Sequence, residues 1–420
     1  MNRIRVNAME IEQLLDLMER NNFLYPAKKE KLIPVLGSIK QNLQRAFGLP
    51  DSMYRTLTFY DGTEQMFASI AAWKYSPSSM IILHLVSNQP VKTREIFFYH
   101  ILKLAAIEQE PVQAILTYYQ PKTRFAHRMF THLYERRVDE GVLIEPFHFY
   151  AFQRNSTDTT KGQSSHTTYN LIKELDSQLV YVNGSTIPGY ESSAAGAKKI
   201  IKPLVEKWLN KGIHDKDTNT TSPVDTKSIG RWQIQSLQQA DHAAFSDLLQ
   251  AERGQLYTQA LDLEGQDMTL EKLDSHYQKQ GLTRRRAILL CYAKDSGLLA
   301  GALVINRGSV GLHFSQIENA AEFIGNSLLS PTELSEALSI LIQASKEAYA
   351  DCELDVVPLL IKSSQAEQMS VPGLVFQRQY NLMICNRANF INWITYLMQE
   401  YEKSLNYSVN QSDTMSVEAA

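Results

Sequence analysis

Lys92, Thr93 and Arg94 follow an apolar strand, residues 81–86, and a polar loop, and they open an apolar helix. Cations at a helix start are mildly unfavourable unless an anion sits between them, because the unpaired N–H groups there already carry partial positive charge. The pattern points to a phosphate or another acidic ligand, against the plain alternative of a solvated turn. Upstream, His84 stands on the strand. Its imidazole is either a base facing a cleft or a half-buried strand residue with a satisfied ring. Arg284, Arg285 and Arg286 form the strongest basic run. Guanidinium groups match phosphate geometry, so these three are further anion-binding candidates. Solvated charge balanced by nearby acids is the competing reading.

Other chemistries lack their residues. No Walker motif, Gly-x-Gly-x-x-Gly, His-Glu-x-x-His or Gly-x-Ser-x-Gly occurs. His127 and His132 are five apart, a poor spacing for one face of an α-helix, and no metal is expected. A net charge of −3 over 420 residues, with neither zinc finger nor recognition helix, gives no reason to expect nucleic acid. Cys291, Cys352 and Cys385 are far apart and in no C-x-x-C spacing, which reads as reduced thiols in a cytoplasmic protein. No apolar run approaches the ~20 residues of a membrane span. The first residues read as an amphipathic helix rather than a signal peptide.

The elements that must position these residues follow from periodicity. Residues 8–48 carry apolar positions at helical spacing. The period then changes, and residues 54–88 give three β segments turned at Asp61-Gly62 and Ser76-Pro77-Ser78. A helix over 94–109, a strand over 112–119, a helix over 124–136 and a strand over 142–154 complete this part. Polar, small-residue stretches then bracket two helical segments, 169–179 and 194–210. After Ser228 the order returns: a strand, a helix, three β segments, a helix over 333–349, a strand, then a late strand pair. "IILHLV" and "VGLHFS" match as third β segments, with His84 and His313 in the same place. A closing helix carries Phe390, Trp393, Ile394, Leu397, Met398 and Tyr401, an apolar stripe for core packing, a domain seam or a partner. The expected division is 1–155, a linker region 156–228 with two helices, 229–405, and a disordered tail 406–420.

This repeated order resembles the acyl-CoA N-acyltransferase superfamily, the GNAT fold, in tandem. The resemblance covers about 1–155 and 229–400. It implies an α/β fold with a mixed sheet and flanking helices, built as two GNAT-like domains joined by a partly helical linker. It also implies that the loop after the fourth strand, with the next helix N-terminus, holds the CoA pyrophosphate. That would place acyl-CoA at Lys92, Thr93 and Arg94, with His84 near the chemistry and Tyr134 where the family keeps its acid tyrosine. The family signature Arg/Gln-x-x-Gly-x-Gly/Ala is missing from "NQPVKTREI" and from "EFIGNSLLSPTELSE". Ser330-Pro331-Thr332-Glu333 reads instead as a capping box. Two functions remain. One is a non-catalytic or weakly active ligand-binding, regulatory or scaffold protein, with a small anionic ligand or a protein as its partner. The other is an N-acyltransferase active in its first domain.

Overall fold

The computed structural model describes residues 3–106, 112–136, 141–154, 227–265, 267–353, 355–399 and 402. The expected segments 169–179 and 194–210, the tail 406–420 and Tyr401 lie outside the described residues. Thirteen strands form one sheet: β1 (Arg3–Val6), β2 (Tyr54–Tyr60), β3 (Met66–Ser76), β4 (Ser79–Ser87), β5 (Ala114–Tyr119), β6 (Val142–Gln153), β7 (Lys227–Ile229), β8 (Trp232–Ser236), β9 (Arg284–Ala293), β10 (Leu299–Gly308), β11 (Ala321–Gly325), β12 (Val356–Lys362) and β13 (Val375–Asn386). Their spatial order is β1-β2-β3-β4-β5-β13-β6-β12-β11-β10-β9-β8-β7. Read outward from the β13–β6 pair, the two sides mirror each other, and β7 is one extra edge strand.

The centre of that palindrome is an exchange. The late strand of the first half, β6, pairs with β12 of the second, and β13 pairs with β5 of the first. β6 and β13 then pair with each other in antiparallel register, Asn381 opposite Pro146. The expected late strand pair of the second half is therefore one strand, β13, whose hairpin-like partner belongs to the first half. Pro146 interrupts a central strand without breaking the sheet because β12 reaches only as far as Phe147.

Alternation along each strand sends side chains to two faces. On β9, Ile288 and Leu290 join the core beneath the helices His242–Glu252, Gln255–Ala260 and Glu271–Gln278. Ala287 and Cys291 face the core beneath the helix Pro331–Ser345. In the first half, the helices Ile11–Arg20 and Leu36–Ala46 lie over Tyr60, Met66 and Val86. The helix Pro90–Ala105 covers the other face together with Met129, Phe130, Phe390 and Trp393. The halves also pack across each other. Trp73 of β3 meets Tyr277 edge-on, the Tyr277 hydroxyl donates to the Lys74 carbonyl at 3.0 Å, and Asn42 donates to the Val310 carbonyl at 3.0 Å.

Three expectations need correction. "VGLHFS" is not a strand: residues 309–320 form a loop with Gly311 and Gln316 at positive φ, and the third β segment is β11, which begins at Ala321 and pairs with β10. His84 and His313 are thus not equivalents, although the loop brings their ring centroids to 6.1 Å. The helix expected at 94–109 starts at Pro90, whose fixed φ suits a first helical position. The helix over 124–136 contains a π turn, His127–Thr131. A π turn closes over five residues rather than four, so His127 and His132 face each other with centroids 4.8 Å apart. Among the described residues no group of three or more His, Cys, Asp or Glu is placed to hold a metal.

Candidate functional site

Each half contains one parallel strand pair that opens like a V. β4 and β5 pair only over Ser79–Ile81 with Ala114–Leu116, and β11 and β12 only over Ala321–Phe323 with Leu359–Ile361. Beyond those residues the strands diverge toward the N-termini of the helices Pro90–Ala105 and Pro331–Ser345. A parallel pair that splays before a helix N-terminus leaves main-chain groups and the helix dipole facing one gap.

Neither a family model nor a curated protein matches the sequence. Solved structures do resemble the fold at low identity. A tandem GNAT protein from the clavulanic acid biosynthesis pathway, solved without AcCoA, is 9% identical, with 92% of this chain and 99% of that one covered and a TM-score of 0.37. A Drosophila protein is 11% identical over 91% and 98%, with a TM-score of 0.40. A putative acetyltransferase from Pyrococcus horikoshii is 11% identical over 92% and 89%, with a TM-score of 0.36. The decisive observation is the chain's own mirrored strand order with one splay per half. The architecture is tandem GNAT-like.

The two GNAT-like halves treat their splays differently. In the second, the Gln365 amide spans the gap as a peptide group would: its Nε2 donates to the Gly325 carbonyl at 2.7 Å, and its Oε1 accepts from the Gly325 N–H at 3.4 Å. The buried Glu252 carboxylate accepts from the Ser327 N–H at 2.7 Å and from Gln365 at 3.3 Å. Lys362 reaches the Glu252 carbonyl and pairs with Glu145, both at 3.2 Å. The expected capping box is present: Ser330 Oγ accepts from the Glu333 N–H, and the Glu333 carboxylate accepts from the Ser330 N–H at 3.0 Å. Arg231 braces that carboxylate from outside. Main-chain donors at this splay are thus bonded to the chain's own side chains.

In the first GNAT-like half, the Thr117 hydroxyl bonds the Ile82 carbonyl at 3.4 Å where the strands part. The helix Pro90–Ala105 has no side-chain cap at Gln89. Thr93 sits in its first turn and donates its hydroxyl to the Gln89 carbonyl at 3.1 Å. The backbones of Lys92 and Arg94 belong to this helix, and their side chains lie outside the described residues. His84 lies at an irregularity where β4 slips against β3, with φ of 54°, a conformation rare outside glycine. Its ring is buried, and Nε2 accepts from the Phe314 N–H at 3.2 Å. Burial first, then His313 and Lys28, hold its pKa well below the ordinary imidazole value. Tyr134 packs, partly buried, against the core cluster that holds Phe97, Phe130 and Trp393, on the opposite face of the sheet. His84 and Tyr134 are not brought together.

The arginine run alternates, as a strand requires. Arg285 points out and pairs with Asp351 at 2.8 Å. Arg284 and Arg286 are buried. Arg284 Nε donates to the Tyr75 carbonyl at 2.8 Å, and its terminal nitrogens share Asn306 Oδ1 at 3.2 Å. Arg286 donates to the Leu261 carbonyl at 2.8 Å. Burial, then Arg284, lowers the Arg286 pKa to about 10. Close by is a buried polar group that sequence reasoning missed: Arg253, Tyr257 and Glu322, with Arg253 Nε 3.2 Å from the carboxylate and the Tyr257 hydroxyl donating to it. Burial disfavours charge on both ions, and Glu322 keeps the guanidinium charged. Glu322 stands inside the apolar run of β11, and one charge at that position was the only signal for it.

Proposed function

We propose that this protein is a ligand-binding, non-catalytic or weakly active member of the GNAT-like architecture, whose working cleft is the β4–β5 splay of the first half. The asymmetry of the two splays carries the reading: the second is bridged by Gln365 and Glu252, while the helix bordering the first has no side-chain cap. The ligand class is an anionic carrier of the acyl-CoA kind, seated with its phosphates toward Lys92, Thr93 and Arg94. The second half then acts as a structural partner. Weak or absent catalysis follows from the candidate groups: the His84 ring is spent on the Phe314 N–H, and Tyr134 is on the far face. Acyl transfer to an amine is the second reading, favoured by the same uncapped splay.

Thermal unfolding with millimolar CoA and acetyl-CoA tests this directly, because any ligand of the native state raises Tm. The expected result is a rise with both, and no release of free CoA from acetyl-CoA in the presence of a panel of amines. No rise with either ligand contradicts the binding reading. Amine-dependent CoA release replaces it with the transferase reading.

A further inference from the structure

Two histidines of the first half meet against their spacing. His127 and His132 are five residues apart, roughly 140° around an α-helix. The chain between them is wound instead as the π turn His127–Thr131, and the His132 N–H donates to the His127 carbonyl across it. The rings therefore stand 4.8 Å apart between centroids, inclined at 63°. The wider turn is held from within. Met129 and Phe130 are buried, and Phe130 lies 5.7 Å from Phe97 of the helix Pro90–Ala105. The Met129 carbonyl accepts from Trp393 Nε1 at 3.3 Å and the Arg128 carbonyl from the Tyr396 hydroxyl at 2.5 Å. The Thr131 and Tyr119 hydroxyls bond each other at 2.8 Å. Single π turns inside helices are rare and occur frequently at functional sites.

The outward side of the same turn is open. His127 is exposed and His132 partly so, and neither ring forms a hydrogen bond among the described residues. Both rings can therefore turn a nitrogen toward one shared point. A metal ion at about 2.1 Å from a nitrogen of each ring lies roughly 3.2 Å from each ring centre, so centroids 4.8 Å apart subtend about 100° at the metal, within the range of about 90–110° used by octahedral and tetrahedral ions. Imidazole pairs suit borderline transition-metal ions rather than hard cations such as Mg²⁺. The expectation of no metal rested on α-helical spacing, which the π turn replaces. No third His, Cys, Asp or Glu joins the pair among the described residues, so the other coordination positions fall to water and the ion exchanges.

We propose that His127 and His132 form a two-imidazole site for a divalent transition-metal ion of the zinc, nickel and copper class, assembled by the π turn on the surface of the first half. The site does not rest on the reading of the β4–β5 cleft. Calorimetric titration of the full-length, tag-free protein with Ni²⁺, Zn²⁺ and Mg²⁺, each alone, reads the affinity and the selectivity. The expected result is saturable binding of Ni²⁺ and Zn²⁺ at micromolar concentration and no binding of Mg²⁺. His127→Ala and His132→Ala should each weaken Ni²⁺ binding by about tenfold or more, because the second ring of a chelating pair meets the ion at high effective concentration. His276→Ala, which removes an exposed histidine from the helix Glu271–Gln278, should leave that affinity unchanged. His127→Ala changes the more exposed of the two rings, so it decides the matter if His132→Ala misfolds. No saturation by Ni²⁺ or Zn²⁺, Mg²⁺ binding as tight as theirs, wild-type affinity in either variant of the pair, or weaker binding in His276→Ala overturns the proposal.

Discussion

Arg284 takes a full charge into the interior with no carboxylate bonded to it among the described residues. Its partners are the Tyr75 carbonyl, Asn306 and the Tyr75 ring, whose centroid is 4.2 Å from the guanidinium carbon. It therefore ties β9 of one half to β3 of the other. Arg284→Met should lower unfolding free energy in urea by ~1–3 kcal/mol, because the buried Tyr75 carbonyl loses its arginine donor and Asn306 Oδ1 keeps only the longer bond from Arg286 Nε. An unchanged midpoint would show that the apolar stem does all the work. Alternation of the run was legible in the sequence, since residues two apart on a strand share a face. The depth of burial was not, because the helices over Arg284 and the strand that accepts from it come from different parts of the chain. A second residue sets a pH dependence. His100 is fully buried, neither ring nitrogen has a partner among the described residues, and burial followed by Arg55 lowers its pKa to about 3. The folded state thus resists a proton that the unfolded chain accepts below about 6.5, and stability is lost as pH falls through that value. His100→Phe should therefore gain about 2 kcal/mol relative to the wild type between pH 7 and pH 5 in denaturant titrations. A difference that does not change with pH contradicts a neutral, buried ring.

At the scale of elements, the closing helix shows how far one segment can act from its own half. Residues 390–399 are helical, and Phe390, Trp393, Ile394 and Leu397 enter the first-half core. Trp393 meets Phe97 at 5.7 Å and Phe130 at 6.0 Å, and its Nε1 donates to the Met129 carbonyl at 3.3 Å. Trp393→Ala should cost ~3–5 kcal/mol, as large-to-small changes in a packed core do. Its amide exchange should rise first in the helix Pro90–Ala105 rather than in Pro331–Ser345; the opposite order would contradict this packing. The stripe itself was readable from 3.6-residue spacing, and the capping box at Ser330 from four consecutive residue types. The 309–320 loop was not readable. Val310, Leu312 and Phe314 alternate like a strand, yet their backbone follows turns set by Gly311 and Gln316; Val310 and Phe314 bury in the core beneath the first-half helices and Leu312 in the neighbouring core, and none of them pairs in the sheet. Gln365 gave no signal either, because its partner Gly325 is forty residues away.

At the scale of the molecule, the repeated order of elements was legible, and the exchange of late strands was not. Either late strand can sit beside either fifth strand without changing which side chains face the core, so the alternation pattern does not specify the partner. The consequence is a single sheet in which each half is completed by a strand of the other, β6 for the second and β13 for the first. The two halves differ in the splay: one is bridged by Gln365 and Glu252, while the helix bordering the other has no side-chain cap. Amide hydrogen exchange with and without saturating CoA tests that division most directly. The account predicts added protection in the second part of β4 and the first turn of the helix Pro90–Ala105, and none at residues 325–333. Protection at 325–333, or in neither place, would contradict it.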